Sequence, residues 1–345
     1  MIMPEHFATE AALEEFLAQP SDALIEMMKR LEGDIMILGI AGKMGVTMGK
    51  LAVNAIRAAK VAKRVIGVAR FSDETARQKL EDCGVETVTC NLLDREQIAK
   101  LEKVANVVFM AGRKFGTGGS EDLTWAMNVL APSYVAEHFK DSRLTVFSTG
   151  CVYPLMTPEE GGCTEDVVPE PVGEYSQSCL GRERIFEYHA NLNKTRLLLF
   201  RLNYAIDLRY GVLHDIAQMV WKGEKVNNSV SHFNVIWQGS ANEAALRSLE
   251  LADNPRAILN VTGAEQISTV EIAEAFGRLF NKKVEYLHAE SGKRCYLNNA
   301  GKMLKLFGKP AVSLEQMIEW QAKWIADGNK SINKPTHFEV NNGKF

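Results

Sequence analysis

Three regularly spaced glycines are the first feature of the sequence that could support chemistry. A short apolar run, 35–38, leads into Gly39, Gly42 and Gly45, and the residues that follow have the periodicity of an amphipathic helix. In such a strand–turn–helix unit the glycines permit a tight turn, close approach of the backbone to a pyrophosphate, and close packing of the helix on the strand. The spacing predicts a dinucleotide site at the helix N-terminus; an ordinary tight turn is the alternative interpretation.

Hydroxyl groups end a later apolar strand, at 144–150. Ser148 and Thr149 lie at its carboxyl end, and the preceding strand ends in the small residues Ala111 and Gly112. Ligands of open α/β sheets bind outside the carboxyl ends of the strands. We therefore expect both strand ends to face the same ligand.

Alternating strands and helices would bring these residues to one edge of a sheet. Apolar runs predict strands at 35–38, 64–70, 85–90, 105–112, 144–150, 197–202, 233–237 and 257–261. Helical patterns follow Gly45 and occupy 175–191, 241–251, 270–280 and 313–326. This alternation predicts an α/β fold with a doubly wound parallel sheet.

The same pattern suggests a division into three parts. Residues 1–33 predict a helical extension of two short helices, capped by Thr9 and Ser21. Ranges 34–205 and 233–262 would form a Rossmann domain. Ranges 206–232 and 263–345 would form a smaller C-terminal lobe for the substrate.

Composition excludes several classes of function. The chain of 345 residues has a formal net charge of −3 and no long run of either sign, which argues against nucleic-acid and membrane partners. The six cysteines are scattered, so we expect reduced thiols, a cytoplasmic location and no metal site.

Together these landmarks resemble the NAD(P)-dependent epimerase/dehydratase family, the extended short-chain dehydrogenases/reductases, over roughly residues 34–328. The matching residues are the glycine turn at 39–45, the strand end 110–112, Asn128 on the next helix, the hydroxyl strand 148–153 and the helix 175–183. The resemblance implies an NAD(P)-dependent oxidoreductase or epimerase that acts on a sugar or sugar nucleotide by hydride transfer. It also implies that Tyr175 removes the hydroxyl proton, that Thr149 steadies the oxygen, and that the protein is a homodimer.

One departure from the family affects the catalytic residues. The Tyr-x-x-x-Lys of the family is here Tyr175-x-x-x-Cys179, and a cysteine supplies no positive charge to lower the pKa of the tyrosine. Arg182 shares a helical face with Tyr175 and could bring a guanidinium to the site; Lys114 is the alternative. Arg182 could instead be a surface residue that pairs with nearby acids.

The end of the second strand bears on the cofactor. NAD-specific relatives carry an acid there for the ribose hydroxyls, whereas this chain has Ala69 followed by Arg70. An arginine without the acid favours the 2′-phosphate of NADP, and Lys43 lies close by in the glycine turn. NAD, with Arg70 stacked on the adenine, is the alternative.

Other contacts follow from the resemblance or from position in loops. The expected cofactor contacts, beyond those above, are Met44 in the turn, Asn91 and Leu92 around the adenine, Ala111, Gly112, Asn128 and Tyr175. The expected substrate contacts are Arg113, Lys114, Thr149 and Arg209, although loop residues of this kind are often solvated surface. The loss of the family's lysine leaves a second functional interpretation, a catalytically impaired NAD(P)-binding sensor or scaffold.

Overall fold

A seven-stranded parallel sheet forms the centre of the computed structural model, which describes residues 3–114, 119–341 and 343. The strands predicted at 105–112, 144–150 and 197–202 are all present; the first is shortened to 106–109, and the other two begin one residue earlier than predicted, at 143 and 196. The sheet strands are β1 (Ile35–Leu38), β2 (Val65–Ala69), β3 (Glu86–Thr89), β4 (Asn106–Phe109), β5 (Arg143–Thr149), β6 (Arg196–Leu202) and β10 (Ala257–Val261). Their order, β10-β6-β5-β4-β1-β2-β3, is that of a doubly wound sheet, which confirms the predicted fold class.

The order reverses between β1 and β4, and this is where the candidate site lies. Leu38 pairs with Phe109 at the carboxyl ends of these strands. The chain leaves β1 and β4 toward opposite ends of the sheet, so a crevice opens between the two connections. The glycine turn after β1 and the segment 110–112 after β4 therefore face each other.

Helices cover both faces of the sheet and build the second lobe. They are α1 (Glu10–Leu17), α2 (Asp22–Arg30), α3 (Gly45–Ala59), α4 (Glu74–Cys83), α5 (Arg95–Ala99), α6 (Glu121–Trp125), α7 (Ala131–His138), α8 (Gly173–Asn193), α9 (Val212–Lys222), α10 (Gln238–Arg247), α11 (Thr269–Phe280), α12 (Gly301–Phe307) and α13 (Leu314–Ala326). A π-helical turn, Ala126–Leu130, joins α6 to α7. None of the helices in the described ranges has both the length and the apolar composition that crossing a bilayer requires.

The second lobe has its own apolar core beside the sheet. Helices α9, α11 and α13 supply most of it, including Ile216, Phe276 and Trp324. Four two-residue strands pair off within this region: β7 (Ala205–Ile206) with β9 (Ile236–Trp237), and β8 (His232–Phe233) with β11 (Ile267–Ser268).

The single strand predicted at 233–237 is wrong. Asn234 interrupts it because its amide Nδ2 donates to the carbonyl of Glu265 (2.9 Å) and its Oδ1 accepts from the amide of Asn298 (2.9 Å). These bonds turn the chain from one small sheet to the other. The apolar pattern of the sequence does not reveal these bonds.

The N-terminal extension bridges the two cores. Its two helices begin where predicted, with Thr9 and Ser21 accepting from helix amides. Leu13 of α1 lies in the core of the second lobe, whereas Met28 of α2 lies in the core of the sheet domain. The extension therefore contributes to the packing of both parts of the protein.

A buried ion cluster fixes α1 in place. The guanidinium of Arg209 donates to Asp207 (2.6 Å), Glu10 (2.7 Å) and Glu14 (2.8 Å), and its side chain is only 7% exposed. Burial alone would raise the pKa of Glu10 and of Glu14, but the hydrogen bonds with Arg209 and the charge of Lys79 leave both pKa values lowered. One arginine thus joins the extension to the turn before α9.

We predict that Arg209→Met lowers the free energy of unfolding by about 3–5 kcal/mol, because it leaves the buried carboxylate of Asp207 without its cation. Urea denaturation at pH 7 measures the change. The control is Arg184→Met, which removes an exposed pair with Glu187 and should cost less than about 1 kcal/mol. Equal losses in the two variants would contradict the role of the cluster.

Candidate functional site

The glycine turn lies against the end of β4 because it lacks side chains. Gly39 has a φ of +90°, and a Cβ there would lie 2.7 Å from the Cα of Ala111. A Cβ on Gly45 would lie 2.1 Å from the carbonyl oxygen of Ile40. A Cβ on Gly42 would meet only the carbonyl oxygen of Gly39, at 3.4 Å, so no packing within the protein requires this glycine. Gly42 borders open space.

The N-terminus of α3 opens onto the same space. Met44 is the N-cap residue, and no side chain caps the helix. The first amides of a helix have no partners within it, and the positive end of the helix dipole lies among them. The turn thus offers backbone donors that suit an anion.

Two cavities meet at the glycine turn and form one cleft. Both are lined by Gly39, Gly42, Met110 and Gly112. The first, of about 260 Å³, extends beneath β2 and β3 and is lined by Ala69, Arg70, Phe71, Ser72, Cys90, Asn91, Leu92, Ala111 and Met127. The second, of about 360 Å³, extends toward the second lobe and contains the predicted catalytic residues. We refer to them as the β2-side cavity and the lobe-side cavity.

Asn128 is buried beside the lobe-side cavity and joins three elements that border it. It lies in the π-helical turn, a feature frequent at functional sites. Its Oδ1 accepts from the amide of Arg113 (2.8 Å) and from the guanidinium of Arg182 (2.6 Å), and its Nδ2 donates to the carbonyl of Arg113 and the hydroxyl of Ser178, each at 2.9 Å. This amide fixes the loop after β4 relative to α8.

Arg182 is buried within the site, so its interpretation as a surface residue is wrong. Its Nη1 donates to the carbonyl of Phe147 (2.9 Å) at the end of β5, and its Nη2 donates to Asn128. A Cβ on Gly112 would lie 2.4 Å from Nη2, so this glycine leaves room for the guanidinium. Its buried Nε has no hydrogen-bond partner among the residues described.

Tyr175 lies near Thr149 in the lobe-side cavity. The Thr149 hydroxyl lies close enough to the phenol to favour its ionised form. Burial, followed by the neighbouring thiols Cys179 and Cys151, raises the pKa of Tyr175 well above its ordinary value, and the charge of Arg182 opposes this only in part. The phenol therefore keeps its proton at neutral pH.

The two cysteines beside Tyr175 also keep their protons. Burial raises the pKa of Cys151 and the pKa of Cys179 above the ordinary value for a thiol. All six cysteines of the chain are free thiols. These two are therefore un-ionised at neutral pH and add no charge to the site.

Two lysines extend into the lobe-side cavity. Lys114 Nζ lies 5.8 Å from the ring centroid of Tyr175 and donates to the carbonyl of Thr336 (3.4 Å). Lys43 Nζ lies 3.3 Å from the ring centroid of Tyr210. Both lysines and Arg113 line the cavity. Residues 115–118, which follow Lys114, lie outside the described residues.

The position of Arg209 does not support its expected role as a substrate contact. Its guanidinium is engaged in the buried ion cluster with α1, and it does not line the lobe-side cavity. Sequence reasoning missed Tyr204, Gln238 and Thr336, which do line it. Thr336 reaches the site from the polar segment after α13, and no local sequence pattern indicates such a return.

No group of three histidine, cysteine or acidic residues in the described parts of the chain is arranged to hold a metal ion. A buried ion pair lies beside the site instead. Glu183 of α8 accepts from Arg201 (2.6 and 2.9 Å) and from Ser148 (2.5 Å). This pair attaches α8 to β5 and β6, so it holds Tyr175 at the sheet edge.

Solved structures share this architecture. Those that resemble it include UDP-glucose 4-epimerase of Thermus thermophilus with NAD (18% identity, 84% of this chain and 98% of that chain, TM-score 0.67). The UDP-glucose 4-epimerase of Thermotoga maritima with UDP-glucose matches at 16% identity and a TM-score of 0.68, and the match covers 86% of this chain and 99% of that chain. The dTDP-glucose 4,6-dehydratase of Bacillus anthracis with NAD matches at 18% identity and a TM-score of 0.68, and the match covers 85% of this chain and 96% of that chain. No protein-family model and no curated protein matches the sequence. The likeness shows that the fold is the one found in these proteins.

We predict that Gly45→Ala lowers the free energy of unfolding by about 1–3 kcal/mol, because its Cβ would overlap the carbonyl of Ile40. Gly42→Ala should change it by less than about 1 kcal/mol, since its Cβ has room. Urea denaturation of the two variants tests the assignment. A larger loss for Gly42→Ala would show that the turn packs differently.

Proposed function

We propose that the protein is an NAD(P)-dependent oxidoreductase or epimerase that acts on a sugar or sugar nucleotide at a carbinol carbon. One observation carries the proposal. A single cleft runs from the uncapped N-terminus of α3, across Gly42, to the hydroxyls of Thr149 and Tyr175. The structural neighbours, described as complexes with NAD or UDP-glucose, support it.

The residues present fit a dinucleotide. The amides that open α3 and the space beside Gly42 suit a pyrophosphate. Asn91 and Leu92 line the cavity that would hold the adenosine. The nicotinamide half of the dinucleotide would extend into the lobe-side cavity, near Asn128, Arg182 and Tyr175. When bound, the nicotinamide supplies the hydride acceptor and donor.

The protein's own residues position the substrate oxygen and move its proton. We propose that Thr149 Oγ1 and Tyr175 Oη hold the hydroxyl of the carbinol. Tyr175 takes the proton as the carbonyl forms and returns it when the carbonyl is reduced. The guanidinium of Arg182 and the ammonium of Lys114 supply the positive charge that Cys179 lacks, and both favour the phenolate.

The proposed cofactor is NADP rather than NAD. Arg70 lines the β2-side cavity at the end of β2, and no acidic side chain among the described residues lines this cavity. A guanidinium suits a 2′-phosphate. NAD in the neighbouring structures shows that the fold also accepts the unphosphorylated form.

We expect Arg70→Ala to weaken NADPH binding by about ten- to a hundredfold, because a hydrogen bond to a charged group contributes about that much to affinity. NADH binding should change by less than about twofold. Fluorescence titration of the reduced cofactors measures both constants. Arg95→Ala, an exposed arginine that pairs with Glu137, is the control. Equal weakening of both cofactors would indicate that Arg70 stacks on the adenine.

Activity should rise with pH, because Tyr175 must lose its proton to act as a base and its pKa is raised. Below that pKa the fraction of phenolate grows about tenfold per pH unit. We predict that kcat at saturating substrate increases between pH 6 and 9, and that Tyr175→Phe abolishes it. Tyr188→Phe, an exposed tyrosine of the same helix, should retain full activity. A flat profile from pH 6 to 8 would exclude an unassisted Tyr175.

The second candidate function is a dinucleotide-binding sensor or scaffold without turnover. The un-ionised phenol of Tyr175 beside Cys179 favours this alternative. Tight NADP binding together with no reduction of the cofactor by any of a panel of sugars and sugar nucleotides would support it over the enzyme.

We also propose a homodimer formed by the helices α6–α8. Large apolar side chains are exposed there, namely Leu123, Trp125, Leu130, Tyr188 and Leu192. Because α7 packs on α8, a second copy could cover both helices and form a four-helix contact. The free state of all six cysteines fits the proposed cytoplasmic location.

A further inference from the structure

A third cavity, of about 240 Å³, lies apart from the cleft, and no described residue lines both. Its walls come from three segments, within 16–23 of the N-terminal extension, 236–247 of β9 and α10, and 303–312 of α12 and the chain after it. We refer to it as the extension cavity. The extension therefore forms one wall of a space that the proposed function does not use.

Much of the wall is apolar and is fixed by packing. Trp237 is only 2% exposed, and its ring centroid lies 6.1 Å from that of Phe16 and 5.5 Å from that of Trp320. Met303 and Phe307 supply another wall from α12. Because an apolar cavity of about 150 Å³ accepts benzene, the extension cavity has room for a body of that size and for polar groups attached to it.

Unused hydrogen-bond donors lie where α10 begins. The indole Nε1 of Trp237 has no hydrogen-bond partner among the described residues, although this side chain is almost fully buried. It lies 3.0 Å from the position that a Cβ on Gly239 would occupy, and Gly239 lines the cavity with Ser240. No side chain caps α10. A buried donor without a partner costs free energy, so this end of the cavity favours a ligand with a hydrogen-bond acceptor.

Charged side chains lie further along the cavity. The guanidinium of Arg247 lies 4.4 Å from the ring centroid of Phe307, and Nη1 donates to Glu243 in a long hydrogen bond of 3.4 Å. Glu243 is engaged more closely by Ser21, whose hydroxyl donates to it at 2.6 Å and whose amide donates at 3.3 Å. The charge of Glu243 opposes an anion, but Arg247 and the exposed Lys309 outnumber it among the described lining residues.

One face of α10 runs along the cavity between these two ends. Ser240, Ala244 and Arg247 all line it, and their spacing of four and three residues places them on the same face of the helix. A helix rises about 1.5 Å per residue, so the backbone at Ser240 and at Arg247 is separated by roughly 10 Å. A ligand that uses both ends must be elongated.

We propose that the extension cavity binds a small carboxylic acid with an apolar body and a hydrogen-bond acceptor at its far end. The body lies among Trp237, Met303 and Phe307. The carboxylate accepts from Arg247, whose bond to Glu243 is long, and the far acceptor takes the indole N–H of Trp237. The site shares no lining residue with the cleft, so this inference goes beyond the proposed function.

The test is calorimetric titration of the full-length protein with probes of one shape. 4-Hydroxyphenylacetate should bind at least about tenfold more tightly than 4-hydroxyphenylacetamide, because the neutral amide cannot form the charged bond with Arg247. Phenylacetate, which lacks the far acceptor, should bind about two- to tenfold more weakly than 4-hydroxyphenylacetate. Tyramine, a cation of similar shape, should not bind.

Variants assign the contacts. Arg247→Met keeps an apolar side chain beside Phe307 but removes the charge, so it should abolish the preference for the acid over the amide. Ser240→Phe places a ring in the cavity and should weaken both probes at least about tenfold. The control Arg278→Met removes an exposed arginine of α11 that does not line the cavity and should change neither affinity. Circular dichroism and thermal unfolding confirm that each variant is folded.

Methionine methyl resonances locate the probe. Met303 lines the extension cavity, whereas Met110 lines both cavities of the cleft. In protein with ¹³C-labelled methionine methyl groups, 4-hydroxyphenylacetate should shift the Met303 resonance and leave that of Met110 unchanged. Met303→Leu and Met110→Leu assign the two resonances.

Several results would overturn the inference. They are equal affinity for the acid and the amide, a preference for the acid that survives in Arg247→Met, or a shift at Met110 without one at Met303. Equal affinity for phenylacetate and 4-hydroxyphenylacetate would overturn the role of the Trp237 indole. None of these measurements requires cofactor binding or turnover, so their failure and the failure of the proposed function are distinguishable.

Discussion

The close contact between two backbones determines the rest of this site. Gly39 and the chain at Ala111 lie so near each other that a single Cβ on the glycine would overlap the backbone. This contact places the N-terminus of α3 beside the end of β4, at the point where the strand order reverses. The cleft extends to both sides of it. Any ligand that spans the cleft must pass over Gly42, whose missing side chain serves no packing purpose in the protein.

A second set of interactions brings α8 to the same edge. The Glu183–Arg201 ion pair and the bonds from Arg182 to Asn128 and Phe147 attach one face of the helix to β5, β6 and the π-helical turn. These bonds hold Tyr175 beside Thr149. They also place positive charge in the site from Arg182, although the helix carries an uncharged thiol at Cys179. Lys114 adds charge from the loop after β4. Arg182 and Lys114 thus supply the positive charge of the site, although Cys179 is uncharged.

The sequence predicted what depends on local pattern. The helix caps at Thr9 and Ser21 and the glycine turn that begins at Gly39 are present. It could not predict features that depend on distant partners. Arg209 is drawn into the core by carboxylates nearly two hundred residues away, on α1. Thr336 reaches the cleft through Asp215, and Asn234 splits a strand through bonds to residues of later segments. The sequence pattern predicted no helix at the positions of α9 and α12.

The measurement that tests the account most directly is a crystal structure of the protein with NADPH. We predict that the pyrophosphate lies on the amides between Gly42 and the start of α3, with the adenosine beside Asn91 and the nicotinamide facing the phenol of Tyr175. A cofactor bound elsewhere, or a cleft filled by side chains that leave no path across Gly42, would contradict the central claim while leaving the fold intact.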